Sequence, residues 1–397
     1  MKCEWKTVKI GDLGQVMGGA TPSTKDPKNY SGNIPWITPK DLSVFNGRFI
    51  SKGERNITQK GLESCSTHIL PKNSVLFSSR APIGYMAIAA NELCTNQGFK
   101  SVIPNSDTDY LFLYYLFQYN KEKIESMGSG TTFKEVSGST MRNIEVSVPG
   151  LEMQKKVAKI LSSLDDKIEL NTAINHNLQQ QIKVLYANYF VDTFNTEWPE
   201  VPLSKLILFQ EGPGIRNWQY VDDGVKFINI RCINNGSIDI STANKISREE
   251  AYGKYKHFLL EPYDIVMSCS GTLGRYAIVQ EEHLPLCLNT SVIRFKPRQN
   301  DFDYSFVYGY MTSTEFLNRQ LVMANGSAQV NFGPTHLKQI TIKEPPVELR
   351  KQFNYIVMPI INSMIAIRGE STKLALVRDA LLPKLMSGEI DVSEVEI

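Results

Sequence analysis

Between Leu151 and Tyr189 apolar positions recur at every third or fourth residue. The row reads Leu161, Leu164, Ile168, Asn171, Asn175, Leu178, Ile182, Leu185 and Tyr189. An unbroken 3-4 spacing, almost free of glycine and proline, predicts one long helix with a coiled-coil seam. Such a helix is roughly 58 Å long at ~1.5 Å per residue. The same spacing returns 196 residues later as Val357, Ile360, Met364, Ile367, Ser371, Leu374, Arg378, Leu381 and Leu385. Pro383 is expected to kink the last turns of that second helix. Asn171 and Asn175 fall mid-seam, where an amide either fixes register by being buried or stays partly solvated.

The two helical segments close two halves of a tandem repeat. Ile34-Pro35-Trp36-Ile37 answers Val225-Lys226-Phe227-Ile228 at an offset of 191. Val75-Leu76-Phe77-Ser78-Ser79 answers Ile265-Val266-Met267-Ser268-Cys269, and Asn96 answers Asn289 at an offset of 193. Ile144 through Pro149 and Glu152 answer Ile340 through Pro345 and Glu348 at an offset of 196. An offset that drifts by a few residues is what small loop insertions produce. The chain therefore divides into residues 1–150, a helical spacer 151–197, residues 198–345 and a helical end 346–397. The predicted class is α+β: two tandem mixed α/β domains separated by two long antiparallel helices in a coiled coil, with pseudo-twofold symmetry.

Within each globular half, short strands are broken by turn residues. Ile69–Phe77 and Leu260–Met267 each read as a turn into a buried strand. Tyr110–Phe117, the longest apolar run, reads as a buried helix with a counterpart at Phe302–Tyr310; it is far short of the ~20 residues of a membrane span. The polar loops between the matched strands diverge. Gly18-Gly19-Ala20-Thr21-Pro22-Ser23-Thr24 stands against Glu211-Gly212-Pro213-Gly214-Ile215-Arg216-Asn217-Trp218, and Gly128–Lys134 against Gly326–Phe332. A duplicated scaffold with altered polar loops suits two readers of different targets.

Composition narrows this only a little. The hydrophobic fraction of 42% and charged fraction of 21% are ordinary for a globular chain. No basic-then-apolar signal opens the sequence, and the six cysteines form no C-x-x-C pair, which together suggest a reduced, cytoplasmic protein. The net charge of +2 is spread as +4 over 1–150, zero over 198–345 and −1 in each helical segment. That pattern permits nucleic-acid binding through a local basic groove without indicating it. Catalytic motifs are missing: there is no phosphate loop, no Asn-Pro-Pro-Tyr or Asp-Pro-Pro-Tyr run and no H-E-x-x-H. The paired carboxylates Asp165 and Asp166 lie on the helix and are expected to be solvated. No cofactor or metal is called for, and the chain reads as a non-enzyme.

Two helical signatures, Ile160-Leu161-Ser162-Ser163-Leu164-Asp165-Asp166-Lys167-Ile168-Glu169-Leu170-Asn171 and Leu381-Leu382-Pro383-Lys384-Leu385-Met386-Ser387-Gly388-Glu389-Ile390, bring a family into view. With Ile34-Pro35-Trp36-Ile37 and Gly18-Gly19-Ala20-Thr21-Pro22, the chain resembles the specificity subunit of Type I restriction–modification systems along nearly its full length. The resemblance implies two target recognition domains, each reading one half of a split, asymmetric double-stranded DNA site. It implies that the helices set the unread gap and dock two methyltransferase subunits, with restriction/translocase subunits joining, and no membrane partner. Gly212-Pro213-Gly214 departs from the family's usual early loop.

Base edges are distinguished by Arg, Asn, Gln, Ser and Thr, and the variable loops hold all five. The DNA-contact candidates are Thr21, Ser23, Arg80, Thr131, Thr132 and Lys134 in the first domain. In the second they are Arg216, Asn217, Ser270, Thr272, Arg275, Gln329 and Asn331. The rival reading is a protein–protein scaffold, two binding modules on a coiled-coil spacer with no DNA.

Overall fold

Each half of the repeat is closed by a strand pair drawn from its own two ends. Lys6–Lys9 pairs antiparallel with Glu145–Val148, and Glu200–Pro202 pairs antiparallel with Thr341–Lys343. The computed structural model describes residues 4–80, 82–130, 134–192, 197–234, 236–324 and 331–395. The chain divides into two compact units. The first holds residues 1–170 and 371–397, the second residues 171–370. The division falls inside the two long helices, Leu151–Phe190 and Val347–Met386, each 40 residues long.

The first unit carries a sheet in the order Gly14–Gly18, Lys100–Pro104, Val75–Ser79, Ile83–Ala89, Phe49–Ile50. Beside it, Tyr30–Ile37 lies between Arg55–Ile57 and Cys94–Thr95, antiparallel to the former and parallel to the latter. Every residue of Val75–Ser79 is buried, as a central strand covered on both faces requires. The helix Tyr110–Tyr119 packs on this sheet, with Phe117 edge-on to Phe77 at 5.6 Å. Asp109 caps it, its carboxylate accepting the Phe112 N–H at 2.8 Å. The core is completed by the first turns of one long helix through Val157, Ala158 and Leu161, and by the last turns of the other through Leu385 and Met386.

The second unit repeats this plan. Its main sheet runs Ile207–Glu211, Val292–Pro297, Ile265–Ser268, Tyr276–Ile278. Val225–Ile228 pairs in parallel with Leu286–Leu288, as Tyr30–Ile37 does with Cys94–Thr95. The helix Tyr304–Thr312 is buried at every position. Its Phe306 meets Phe190 at 5.1 Å, and Phe190 meets Phe353 of the other long helix at 4.9 Å.

The long helices start by equivalent buried devices of different chemistry. Gln154 donates to the Pro149 carbonyl at 3.0 Å and accepts the Asp109 N–H at 3.0 Å. At the matching place Arg350 donates to the Pro345 carbonyl at 3.2 Å and pairs with the Asp303 carboxylate. Within the first unit the helix segments pair through Asp165 and Arg378 at 2.7 Å. Within the second, the Asn171 amide donates to Glu370 at 2.8 Å. The pairing is antiparallel in each.

Two expectations need correction. Asp165 is not solvated. It is 6% exposed and accepts the Tyr115 hydroxyl at 2.6 Å as well as Arg378. Asp166 is exposed, as expected, though the buried Arg48 engages it and also holds Glu169 at 2.9 Å. The seam is also broader than drawn: Asp165, Tyr186 and Phe190 are buried while Leu164, Leu185 and Tyr189 are half-buried. The reason is that each helix segment packs on its unit's own core as well as on the other helix. Asn171 and Asn175 are both buried. The second helix continues through Pro383 to Met386, and contains Pro359, whose carbonyl takes the Ser363 hydroxyl at 2.9 Å. Among the described residues no helix is long and apolar enough to cross a membrane.

Candidate nucleic-acid interface

At one end of each main sheet four loops are laced together, and the lacing is the same in both units. The first loop follows Gly14–Gly18 in one unit and Ile207–Glu211 in the other. It is set by a glycine that no other residue can replace without clash. A Cβ on Gly19 would lie 2.1 Å from the Thr95 carbonyl oxygen, and one on Gly212 would lie 2.4 Å from that of Leu288. The second loop turns on an asparagine: Asn96 accepts the Gly98 N–H at 2.9 Å, and Asn289 accepts the Ser291 N–H at 2.9 Å. The third follows the buried central strand. Ser78 donates to the Pro82 carbonyl at 2.8 Å and accepts the Tyr85 N–H at 2.8 Å. Ser268 makes the same clamp, to the Thr272 carbonyl at 2.6 Å and the Arg275 N–H at 3.0 Å.

Backbone bonds join these loops to each other and to a fourth. Ser79 N–H reaches the Gly98 carbonyl at 2.7 Å, and Cys269 N–H reaches Ser291 at 3.0 Å. Val136 N–H then reaches Ser79 at 3.0 Å, and Phe332 N–H reaches Cys269 at 2.8 Å. Isolated bridges pair Arg80 with Glu135 and Ser270 with Asn331. Burial pushes the Cys269 thiol up to about 12, so it stays protonated and serves as packing. What differs between the units is the polar side chains mounted on this common frame.

In the first unit Thr21, exposed, donates its hydroxyl to Gln97 and so bridges the first and second loops. Ser23 is exposed two residues on, with its carbonyl held by the Asn29 amide at 3.0 Å. Arg80 stands 3.6 Å from Glu135, which Lys100 also approaches at 3.2 Å, so two cations share one carboxylate. Such half-exposed pairs are weak in water and can give way to a phosphate. Lys134 is exposed beside them. Thr131 and Thr132 lie outside the described residues.

In the second unit Ser270 and Asn331 are brought directly together, with Asn331 exposed. Thr272 and Arg275 are exposed in the turn that Ser268 clamps. Arg216 and Asn217 are exposed further along the first loop, where contacts lead away from the other three. Arg216 N–H donates to Gln219 at 2.9 Å, and Gln219 donates to Glu250 at 2.7 Å. Gln329 lies outside the described residues.

Sequence reasoning passed over Gln97, Lys100 and Glu135 in the first cluster and Glu211 and Thr290 in the second. The matched Asn96 and Asn289 carried the signal, since Gln97 and Thr290 each follow them in the same turn. Glu211 accepts the Thr290 hydroxyl at 3.4 Å, and burial holds its carboxyl above the usual range, the Thr290 bond opposing the shift.

The chain's relatives agree with this repeated frame. The family model described as Type I restriction modification DNA specificity domain matches residues 2–180 and again 196–374. The Type I restriction enzyme MjaIX specificity subunit of Methanocaldococcus jannaschii is 33% identical, over 99% of this chain and 95% of its own length. The MjaVIII specificity subunit of the same organism is 23% identical, over 99% of this chain and 94% of its own. In fold, the crystal structure of the Type-I restriction-modification system S subunit from M. genitalium superposes with a TM-score of 0.55 at 17% identity, covering 96% of each chain. With both halves matched by one family model and a relative at 33% identity across nearly the whole length, the chain belongs to the Type I restriction modification DNA specificity family.

Proposed function

We propose that this DNA specificity subunit reads a split double-stranded target, the loop cluster within residues 1–150 reading one half and that within 198–345 the other. The observation that carries the reading is the duplicated frame bearing unlike side chains. Equivalent hydrogen bonds hold Ser78 and Ser268, and Gly19 and Gly212 pack alike, while the first and second loops are bridged by Thr21–Gln97 in one unit and by Glu211–Thr290 in the other. A fixed backbone with exchanged donors and acceptors is how one scaffold reads two sequences. Arg80, Lys134 and Arg275 then supply phosphate or base contacts, and Thr21, Ser270, Thr272 and Asn331 the finer polar ones, with Ser23, Thr131, Thr132, Arg216, Asn217 and Gln329 as further candidates.

The helical segments 151–197 and 346–397 fix the unread gap in this reading. They also offer the docking surface for two methyltransferase subunits, with restriction subunits joining on DNA in the cytoplasm. The chain's own role is recognition rather than catalysis. The scaffold alternative is not favoured, because both halves belong to a DNA specificity family.

A domain exchange tests the reading. Residues 1–150 are replaced by those of a relative, the chain is co-expressed with its methyltransferase subunits, and methylated sites are mapped by sequencing native DNA. One half-site changes and the other half and the gap persist. Loss or change of both half-sites would refute modular reading.

A further inference from the structure

Glu211 ends the strand Ile207–Glu211 and opens the first loop of the second cluster. Its Oε1 accepts the Thr290 hydroxyl at 3.4 Å, and a Cβ on Gly333 would lie 3.8 Å from its Oε2. The carboxylate is thus half-buried among three of the four loops. Thr290 is its only polar partner among the described residues, and no cation shifts its titration. Residues 325–330, Asn-Gly-Ser-Ala-Gln-Val, contain no Lys, Arg or His either.

The first unit treats its carboxylate differently. Glu135 is neutralised by Arg80 at 3.6 Å and Lys100 at 3.2 Å. The place of Glu211 is taken there by Gly18, and the same two loops are bridged by the uncharged Thr21–Gln97 pair. A lone carboxylate on a surface that meets DNA is repelled by phosphates and penalised by desolvation. It is tolerable where a donor meets it, and the major groove offers one, the exocyclic amino group of a base.

We propose that Glu211 is a specificity-determining residue that reads one base of the second half-site by accepting a hydrogen bond from an exocyclic amino group, cytosine N4, in the major groove. The inference rests on the reading of this cluster as a DNA interface. A base amino group satisfies lone pairs that, among the described residues, Thr290 alone does not fill, and it stabilises the ionised form against its burial. The Thr290 bond and partial burial position the carboxylate before DNA arrives, so little ordering is lost on contact.

The test uses the chain assembled with its methyltransferase subunits and maps methylated sites for the wild type, Glu211→Ala and Glu211→Gln. In the Ala variant one position of one half-site becomes degenerate, with discrimination falling about tenfold to a hundredfold. The other positions, the gap and the other half-site remain, which also shows that the complex is folded. Gln, which accepts and donates, moves preference at that same position toward adenine. An unchanged motif in the Ala variant overturns the proposal, as does a uniform gain in DNA affinity without a change of motif, the mark of simple phosphate repulsion. If the Ala variant methylates nothing, the Gln variant decides: a changed preference at one position supports the proposal, and an unchanged motif or no methylation overturns it. A wild type that yields no split motif sinks the broader reading instead.

Discussion

His283 shows how a single side chain ties the second unit's stability to pH. It is 8% exposed, and its Nδ1 accepts the Gln280 N–H at 3.0 Å, which requires the neutral ring. Burial lowers its pKa from the usual 6.5, with Glu282 opposing and Lys226 assisting. The unfolded ring therefore takes up a proton at a higher pH than the folded one. The stability it contributes is complete above about pH 6.5 and is lost as pH falls through the folded value. Thermal denaturation followed from about pH 7.5 to 5 shows a falling Tm, and His283→Gln flattens part of that fall by roughly a few degrees. An identical pH profile in the variant counts against the assignment. None of this was legible in the sequence, where His283 was one of five unremarkable histidines. Burial of a lone polar residue depends on which loop folds over it, and period-based reading carries no such information. The same limit hid Glu211, whose meaning comes from Thr290 and Gly333, far away along the chain.

Elements were far more legible than contacts. The 3-4 spacing located both long helices, and the apolar runs at Tyr110 and Phe302 located the two buried short ones, because hydrophobic period is set locally. Which polar side chains those helices bury was not legible. Asp165 belongs to an Arg378–Asp165–Tyr115 network that only tertiary packing assembles. At the start of the second long helix the corresponding buried group is the Arg350–Asp303 pair, whose side chains are 3% and 1% exposed. The equivalent position in the first unit is the neutral Gln154, so the repeat preserves the device and not its charge. A buried pair is costly to break because the remaining charge loses its partner. Arg350→Met leaves the Asp303 carboxylate buried and unpaired and destabilises the second unit by about 3–5 kcal/mol. Urea denaturation measures this, and a loss under about 1 kcal/mol would show the pair to be dispensable. Adding Asp303→Asn to the same chain recovers much of the loss, since an amide costs far less to bury than an unpaired charge.

At the scale of the molecule, the repeat was legible because matched strands and turns keep their order with only small drifts in offset. The division of the folded chain was less so, because it falls inside the helices, between Leu170 and Asn171 and between Glu370 and Ser371. That division supplies a clean place to alter the distance between the two readers. The Asn171 amide bonds Glu370 at 2.8 Å, so the two cut points lie side by side, and each unit keeps all its internal contacts if residues are added there. One heptad inserted at each point adds about two turns and roughly 10 Å to both helices while keeping the apolar seam nearly in phase. At ~3.4 Å per base pair along one strand, the unread gap lengthens by about three base pairs. Neither loop cluster is touched, so both half-site sequences persist. Mapping methylated sites for the extended chain, assembled with its methyltransferase subunits, reads gap and half-sites in one measurement. An unchanged gap would remove the helices from the role of ruler. A lengthened gap with altered half-sites would mean that the readers and their spacing are not independent, and that each cluster's loops respond to changes in the helices.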